Sequence, residues 1–286
     1  MTQTEIELPG TAGMVAGLLG NEVQSLYGPF AARLYHLMTQ FDTVAMEELQ
    51  QATKDVPGPV LELGAGTGRL TFPFLERGYE VVASDLSPDM LAILDQRLAE
   101  PEAASFAANC TTVVADMADF DLGRKFGIIV IGGSAIWSID KNQRQATFEN
   151  VKKHLTPDGR LFITVVNFPV QQSTDPFERV IMFPLFDNDG PPLLCTVMSY
   201  MDPVEAIRCV SILAQRVEKG QVTETVLGSQ KTYPVQPDVL AAEIEQAGLR
   251  VVERHSIDAG TVAPDGANGS TPIRVELRPT LFEVGH

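Results

Sequence analysis

Cysteine, tryptophan and basic residues are scarce in this 286-residue chain. The three cysteines, Cys110, Cys195 and Cys209, are odd in number and are not spaced as metal ligands, so neither a disulfide framework nor a cysteine metal site is expected. The first nine residues lack a basic region and contain Glu5 and Glu7, which is unlike a secretory signal. No apolar run reaches the ~18 residues that a membrane-spanning helix needs. These absences predict a soluble, cytoplasmic protein.

Positive charge is also in short supply. Lys and Arg number 21 against 37 Asp and Glu, which gives a formal net charge of −16. Because such a surface repels phosphate backbones and anionic lipids, neither a nucleic acid nor a membrane is expected as a partner. The charge suits a cationic substrate, although solubility alone is the simpler explanation. A homodimer stays open.

Internal repeats are absent, and the first half of the chain alternates strands with helices. Buried strands are predicted at residues 59–63, 79–84, 111–115, 127–132 and 161–166. Helices are predicted at residues 69–77, 87–98 and 140–155. Ser87 caps the second helix, and a capping box of Asp140 and Gln143 begins the third. Residues 156–159, Thr-Pro-Asp-Gly, predict a turn. Repeated β-α units predict an α/β fold with a doubly wound parallel sheet.

In the second half of the chain, the alternation of strands and helices stops. Successive β-rich stretches without helices predict an antiparallel β-rich cap inserted into the sheet; they lie at residues 180–186, 194–200, 206–216 and 223–233. A helix at 237–247 and strands at 249–255 and 273–278 follow, with a long loop at 260–272. Helical periodicity over residues 13–55 predicts an N-terminal lid. The predicted domains are residues 1–55, 56–167, 168–235 and 236–286.

The most informative stretch is Glu62-Leu-Gly-Ala-Gly-Thr-Gly68. Glycines let backbone N–H groups approach a ligand, and the following helix N-terminus favours an anionic group. Asp85 ends the second strand, where a carboxylate can accept both ribose hydroxyls. Asp116 and Met117 follow the third strand, where they are suited to hydrogen-bonding an adenine amine beside an apolar face. Taken alone, Asp85 or Asp116 is more simply interpreted as a solvated loop residue. Together with the glycine loop, the two aspartates predict nucleoside binding. The G-x-G-x-G spacing differs from the G-x-G-x-x-G of nicotinamide dehydrogenases.

These motifs resemble those of the class I S-adenosylmethionine-dependent methyltransferases. The similarity covers about residues 55–167, and the five motifs lie at residues 60–70, 80–90, 115–117, 131–134 and 154–159. The resemblance implies a Rossmann-like seven-stranded sheet of order 3-2-1-4-5-7-6, with its seventh strand antiparallel. It also implies S-adenosyl-L-methionine as the cofactor and S-adenosyl-L-homocysteine as its product.

The resemblance assigns roles to individual residues. Asp85 would hold the ribose hydroxyls and Asp116 the adenine amine, while Leu86 and Met117 would sandwich the adenine ring. The other residues implied to line the cofactor, the last two with their backbone facing the sulfonium, are Glu62, Gly64, Ala65, Gly66, Gly68, Arg69, Met90, Gly132 and Gly133.

Tyr27 and Tyr35 resemble the paired aromatics that small-molecule members of the family carry near the cofactor's carboxylate. Arg33 would pair with that carboxylate directly. The alternative for both tyrosines is ordinary packing against the domain.

Few residues are candidates for orienting or deprotonating the methyl acceptor. The cofactor already activates the methyl group, so the protein mainly orients the acceptor, and no strong catalytic motif is expected. His36 is the one plausible base, whereas His154 ends a helix and is expected to be structural. The histidines show no metal spacing, so no metal is expected. Trp137 follows the fourth motif and lines either the acceptor pocket or the core. Tyr27, His36 and Trp137 are thus the predicted acceptor-orienting residues.

Two narrower resemblances concern the acceptor. The wider pattern is similar to the sugar-amine N,N-dimethyltransferases of macrolide pathways. Residues 58–75 and 86–91 look closer to the methyltransferases of daptide peptide pathways. Both imply single or double methylation of an aliphatic amine on a small molecule or modified peptide in natural-product biosynthesis. The daptide resemblance implies a pathway of the ribosomal-peptide (RiPP) type. The alternatives are a sugar amine, an O- or C-methyl acceptor, a nicotinamide dehydrogenase and a non-catalytic cofactor-binding module.

Overall fold

The computed structural model describes residues 8–20, 22–40, 42–133, 135–167, 174–186, 190–256 and 278–286. The chain divides into two compact units. The first unit comprises Met1–Thr39 and Val170–Pro234, and the second comprises Gln40–Pro169 and Val235–His286. The division predicted from the sequence, at residues 55, 167 and 235, stays a prediction. Packing groups the first 39 residues with the β-rich insert.

Seven helices and twelve strands are described. The helices are α1 (Gly10–Leu19), α2 (Pro29–Thr39), α3 (Met46–Thr53), α4 (Thr71–Glu76), α5 (Pro88–Leu98), α6 (Lys141–His154) and α7 (Pro237–Gln246). The strands are β1 (Val23–Ser25), β2 (Val60–Leu63), β3 (Val81–Asp85), β4 (Cys110–Val114), β5 (Phe126–Ile131), β6 (Leu155–Asn167), β7 (Phe177–Leu185), β8 (Leu193–Asp202), β9 (Ile207–Glu218), β10 (Gln221–Thr232), β11 (Arg250–Ser256) and β12 (Arg278–Gly285). Within the described residues, every helix is too short or too polar to cross a bilayer.

The second unit is built on a seven-stranded sheet in the order β11-β12-β6-β5-β2-β3-β4. Neighbours from β6 to β4 are parallel, whereas β12 is antiparallel to both β6 and β11. Counted along the chain within this sheet, the order reads 3-2-1-4-5-7-6, with the seventh strand antiparallel. The unit therefore has the doubly wound, Rossmann-like α/β fold that the motif pattern predicts.

Local sequence explains the elements that surround this sheet. Strands β2 and β5, which are apolar except for Glu62, are buried along their whole length, as strands of a parallel sheet covered on both faces should be. The Ser87 hydroxyl accepts the Met90 N–H and caps α5. At α6, the Asp140 carboxylate and the Gln143 amide form the predicted capping box. These helix starts are confirmed.

One sequence prediction in this unit is wrong. The predicted turn at residues 156–159 lies inside β6, where pairing with β5 jumps from Phe126–Leu155 to Ile128–Arg160. Because pairing with β5 resumes at Arg160, the turn residues form a bulge within the strand instead of ending it.

The last described strand is β12, Arg278–Gly285. The predicted last strand at 273–278 lies, apart from Arg278, outside the described residues, and so does the predicted loop at 260–272.

The first unit contains a five-stranded sheet in the order β1-β10-β9-β8-β7. Strands β7 to β10 form an antiparallel meander, which confirms the antiparallel character predicted for the insert, and β1 adds to β10 in parallel. Helix α1 packs through Ala12 on one face, next to Met198. Helix α2 packs through Leu34 on the other face, next to Cys195. The N-terminal helices therefore complete the core of the insert.

Candidate cofactor site

The glycine loop follows β2 and has a backbone that only glycine adopts readily. Gly64, Gly66 and Gly68 have φ values of 74°, 57° and 90°. A Cβ at Gly64 would lie 2.9 Å from the Ala135 Cβ, and one at Gly68 would lie 2.5 Å from the Leu94 Cδ1. The amides of Gly64 and Ala65 are held by the Ser84 carbonyl on β3, at 2.8 and 2.9 Å. The loop is thus a fixed backbone cradle, which fits close approach of a ligand.

Asp85 ends β3 directly beside this loop. Its Oδ2 accepts the Gly66 N–H and its Oδ1 accepts the Ser87 N–H, both at 2.8 Å. Burial raises the pKa of the Asp85 carboxyl, while the backbone donors at Ser87, Gly66 and Leu86 oppose that rise. Each carboxylate oxygen has two lone pairs, so both keep capacity for a ligand hydroxyl. Asp85 therefore braces the loop from the position predicted for the ribose.

Asp85→Ala is expected to weaken binding of S-adenosylhomocysteine, because it removes the predicted ribose acceptor and the brace on Gly66. Hydrogen bonds to a charged group contribute about 1.5–3 kcal/mol, so a loss of roughly ten- to hundredfold in affinity is expected. Calorimetric titration measures it. Asp89→Ala, which removes a carboxylate in the first turn of α5, is the matched control. An unchanged dissociation constant in folded Asp85→Ala contradicts the assignment.

Glu62 lies beneath the loop, on β2, with only 2% of its surface exposed. Its Oε2 accepts the hydroxyl of Thr71 at 2.6 Å. Burial raises the pKa of Glu62 to about 7, whereas the Thr71 hydrogen bond and the Arg69 charge lower it, and Asp85 raises it further. Glu62 is therefore a carboxyl whose charge changes near neutral pH, at the first motif.

Glu62→Gln is expected to stabilise the protein at pH 8 but not at pH 4. The folded carboxyl titrates near 7 and the free one near 4.5, so the folded state binds its proton more tightly. Stability from this group is therefore complete below pH 4.5 and is lost as the pH rises through 7, by about 3 kcal/mol at 1.36 kcal/mol per pK unit. Urea unfolding across this range, with exposed Glu76→Gln as control, should show a gain for Glu62→Gln that grows with pH. A gain independent of pH contradicts the prediction.

The third and fourth motifs reach the same edge of the sheet. Met117, just after β4, places its Cε 3.5 Å from the position of a Cβ on Gly64. The Asp116 Oδ1 accepts the Ala118 N–H at 2.8 Å. A Cβ at Gly132 would clash with the Leu70 Cδ1, so the backbone after β5 packs directly on the side chain that precedes α4. The structure thus brings the loops after β2, β3, β4 and β5 together.

Other predicted site residues of the second unit have visible structural contacts. Arg69 donates to the Val44 carbonyl at 3.1 Å, and its Nη2 lies 3.4 Å from the position of a Cβ on Gly133. Met90 is 1% exposed and Trp137 is 4% exposed, both within apolar cores. Leu86, by contrast, is 65% exposed. Their roles toward the cofactor and the acceptor stay predictions.

Sequence reasoning missed two contributors to the loop. Thr71 supplies the hydroxyl that donates a hydrogen bond to the Glu62 carboxylate. The Arg97 guanidinium donates to the Thr67 carbonyl at 2.6 Å and lies over the Phe72 ring at 4.1 Å. Thirty residues separate Arg97 from Thr67, and no sequence signal joins them.

The remaining predicted residues belong to the first unit. Tyr27 and Tyr35 are each 39% exposed, and the Tyr27 hydroxyl accepts from the Gln230 amide at 2.6 Å. Arg33 is exposed and His36 is half-buried on α2. Their predicted contacts with cofactor or acceptor stay predictions. His154 bonds the Asn150 carbonyl through Nδ1 and accepts the Leu122 N–H through Nε2, which is a structural role. Among the described residues, no group of three or more possible metal ligands is found.

The fold, with its glycine loop and Asp85 at the carboxyl edge of the parallel strands, is the one expected of a class I methyltransferase domain. Residues 60–159 match the family model described as a methyltransferase domain. The chain therefore contains a methyltransferase domain, and S-adenosylmethionine is the cofactor that this domain and the similar solved structures support. The matched domain favours a methyltransferase over the nicotinamide dehydrogenase alternative.

Particular relatives narrow the comparison. The chain is 25% identical over 194 residues to the cypemycin N-terminal methyltransferase of a Streptomyces species, covering 67% of this chain and 72% of that protein. YqeM of Bacillus subtilis (strain 168), named provisionally as a methyltransferase, is 26% identical over 140 residues, covering 49% of this chain. That match spans only 55% of the length of YqeM.

A solved structure covers more of the chain. The glycopeptide N-methyltransferase MtfA complexed with S-adenosylmethionine is 27% identical, covers 85% of this chain and 93% of that chain, and has a TM-score of 0.56. Its complex with S-adenosylhomocysteine is 25% identical, covers 97% and 98%, and has a TM-score of 0.60. The similarity therefore extends beyond the matched domain into the first unit.

Proposed function

We propose that this chain methylates, once or twice, an aliphatic amine on a small molecule or modified peptide of natural-product type. The observation that carries the proposal is similarity to a glycopeptide N-methyltransferase over 97% of the chain, a coverage that includes most of the β-rich insert. The relative named for N-terminal methylation of cypemycin supports a peptide amine as acceptor. A sugar amine is the second candidate for the acceptor.

In this proposal, different residues bind the cofactor and orient the acceptor. S-adenosylmethionine, when bound, supplies a methyl group that its sulfonium already activates. The loop at Gly64–Gly68 and Asp85 would hold the nucleoside, and the rest of the protein orients the acceptor. Only a neutral amine has a free lone pair, and a free alkyl amine resembles lysine, with a pKa of ~10.4. His36 is the candidate base in the first unit, and its role is part of the proposal.

A product analysis tests the proposal. The protein is incubated with S-adenosylmethionine carrying a deuterated methyl group and with either an amine-terminated peptide or an amino sugar. Mass spectrometry should show one and then two labelled methyl groups on nitrogen, with a rate that rises with pH. The same peptide with its amine acetylated is the matched control and should stay unlabelled. Label found only on oxygen or carbon, or on neither acceptor, contradicts the proposal.

A further inference from the structure

Helix α5 contacts the glycine loop through two residues of one face. Leu94 and Arg97 lie three positions apart, which places both side chains on the same side of the helix. A Cβ at Gly68 would lie 2.5 Å from the Leu94 Cδ1, so the helix packs directly against the last glycine of the loop. One residue earlier in the loop, the Thr67 carbonyl accepts a hydrogen bond from the Arg97 Nη1 at 2.6 Å. The end of the loop is therefore held from α5.

Aromatic rings restrain the guanidinium of Arg97. Its Cζ lies 4.1 Å from the centroid of the Phe72 ring, a distance at which a cation is attracted to the ring face. The Phe72 and Phe106 rings pack edge to face, with 5.9 Å between their centroids. Because the ring under the guanidinium is itself held, the donor of Arg97 stays directed at the loop.

Partial burial strengthens the bond between Arg97 and the loop. Arg97 is half-buried, and burial lowers the pKa of its guanidinium, an effect that the charge of Glu100 opposes. Thr67 is only 3% exposed, so little water competes for its carbonyl. Hydrogen bonds from a charged donor are roughly twice as strong as neutral ones, and they are strengthened further where water is excluded. The bond is therefore strong enough to decide the conformation of a short loop.

The bond to Thr67 also orients the following peptide group. In a trans peptide the carbonyl and the N–H point in opposite directions, so a Thr67 carbonyl fixed toward Arg97 directs the Gly68 N–H to the other side. There the Gly68 N–H donates to the Ala65 carbonyl at 3.0 Å and closes the turn of the loop. Asp85 accepts an earlier N–H of the same turn. The loop is thus held at two peptide groups, one from β3 and one from α5.

We propose that Arg97 is a positioning residue for the cofactor, acting through the Thr67 carbonyl to keep the glycine loop in its binding conformation. This inference rests on the assignment of that loop to the cofactor within the proposed function. Without the guanidinium, the peptide group after Thr67 gains other orientations, and cofactor binding has to restore the right one at a cost in affinity. The loss falls on the cofactor and not on the acceptor. Arg97 lies outside the five motifs, so it adds a determinant that they do not contain.

Arg97→Met and Arg77→Met form a matched pair of variants. Arg77 is also half-buried, donates to the Thr53 hydroxyl at 2.9 Å and lies over the Tyr79 ring at 5.2 Å. It lies at the end of α4, outside the glycine loop. Methionine keeps an unbranched apolar stem and removes the donor in both variants. Because each variant loses one hydrogen bond and one cation–π contact, urea unfolding should show similar losses of stability in the two.

Calorimetric titration with S-adenosylhomocysteine should separate the pair. Arg97→Met should bind about tenfold more weakly, as expected for a lost hydrogen bond from a charged group, whereas Arg77→Met should bind like the wild type. Arg97→Lys keeps a charged donor and should recover part of the affinity. An unchanged dissociation constant in folded Arg97→Met overturns the proposal, and so does an equal loss in Arg77→Met. If Arg97→Met does not fold, Arg97→Gln and Arg77→Gln replace the pair, since the shorter amide does not reach the loop.

Steady-state kinetics give a readout that a general loss of stability does not move. In Arg97→Met the KM for S-adenosylmethionine should rise about tenfold, while kcat at saturating cofactor and the KM for the amine acceptor stay near those of the wild type. A rise in the acceptor KM as large as that in the cofactor KM contradicts a role confined to the glycine loop.

The titrations also separate this inference from the assignments beneath it. If Asp85→Ala loses affinity and Arg97→Met does not, the glycine loop remains the cofactor site and the role of Arg97 is overturned. Normal binding in both variants overturns the loop assignment and the inference together. A tenfold loss in Arg97→Met, in a protein that methylates no amine, contradicts the proposed acceptor and supports the role of Arg97.

Discussion

Replacing Gly66 with valine is expected to reduce the affinity for S-adenosylmethionine by more than a hundredfold. Gly66 has a φ of 57°, and a left-handed conformation costs a β-branched residue at least ~1–2 kcal/mol. The loop escapes this strain only by moving, and movement breaks the bond from the Gly66 N–H to Asp85. Titration with S-adenosylhomocysteine measures the loss, since each 1.4 kcal/mol is about tenfold.

Gly78→Val is the matched control for that experiment. Gly78 has a φ of 82°, and a Cβ there would meet nothing within 4 Å. The control therefore carries similar backbone strain at the end of α4, outside the glycine loop. It should lower the unfolding temperature while the cofactor affinity stays near that of the wild type. If folded Gly66→Val binds normally, the glycine loop is not the cofactor site.

Glu243→Ala is expected to cost about 3–5 kcal/mol of folding stability, because it leaves a buried guanidinium without its carboxylate. Arg144 and Glu243 join α6 to α7 through two contacts, Nε to Oε2 at 2.7 Å and Nη2 to Oε1 at 3.1 Å. Their side chains are 7% and 6% exposed. Arg144 also donates to the Ile139 carbonyl at 3.1 Å, so the pair fixes the segment before α6. Urea unfolding measures the loss.

Two further variants separate burial from charge removal. Glu245→Ala, at an exposed position of the same helix, should change stability by less than about 0.5 kcal/mol. The double variant Arg144→Met with Glu243→Leu should recover most of the lost stability, because an apolar pair of similar volume carries no desolvated charge. A loss in Glu245→Ala as large as that in Glu243→Ala would show that the buried pair is not the cause.

Features coded by neighbouring residues were predictable from the sequence. The Asp140 and Gln143 capping box and the Ser87 cap depend on residues three positions apart, so both can be identified directly from the sequence. The glycine loop and Asp85 were also readable, because each follows a strongly apolar strand. The antiparallel insert was recognised from its alternation and turns.

Features coded by distant residues were not predictable. Arg144 and Glu243 are 99 positions apart, and Arg97 meets Thr67 only after α5 has packed on the sheet. The extent of β12 was not predictable, because pairing with β6 decides where this strand lies. The bulge at residues 156–159 has the same origin, since tertiary pairing overrides local turn chemistry.

The discontinuous first unit has a consequence for how the protein is made. Val23 of β1 pairs with Leu227 of β10, and α1 and α2 cover a sheet whose four other strands begin only at Phe177. On the ribosome, both helices therefore emerge long before the strands that bury their apolar faces. The seven-stranded sheet likewise stays incomplete until β12, which inserts between β6 and β11, is present. Because such long-range pairings form slowly, neither sheet is complete until its last strand in the chain, β10 for the first unit and β12 for the second, has been synthesised.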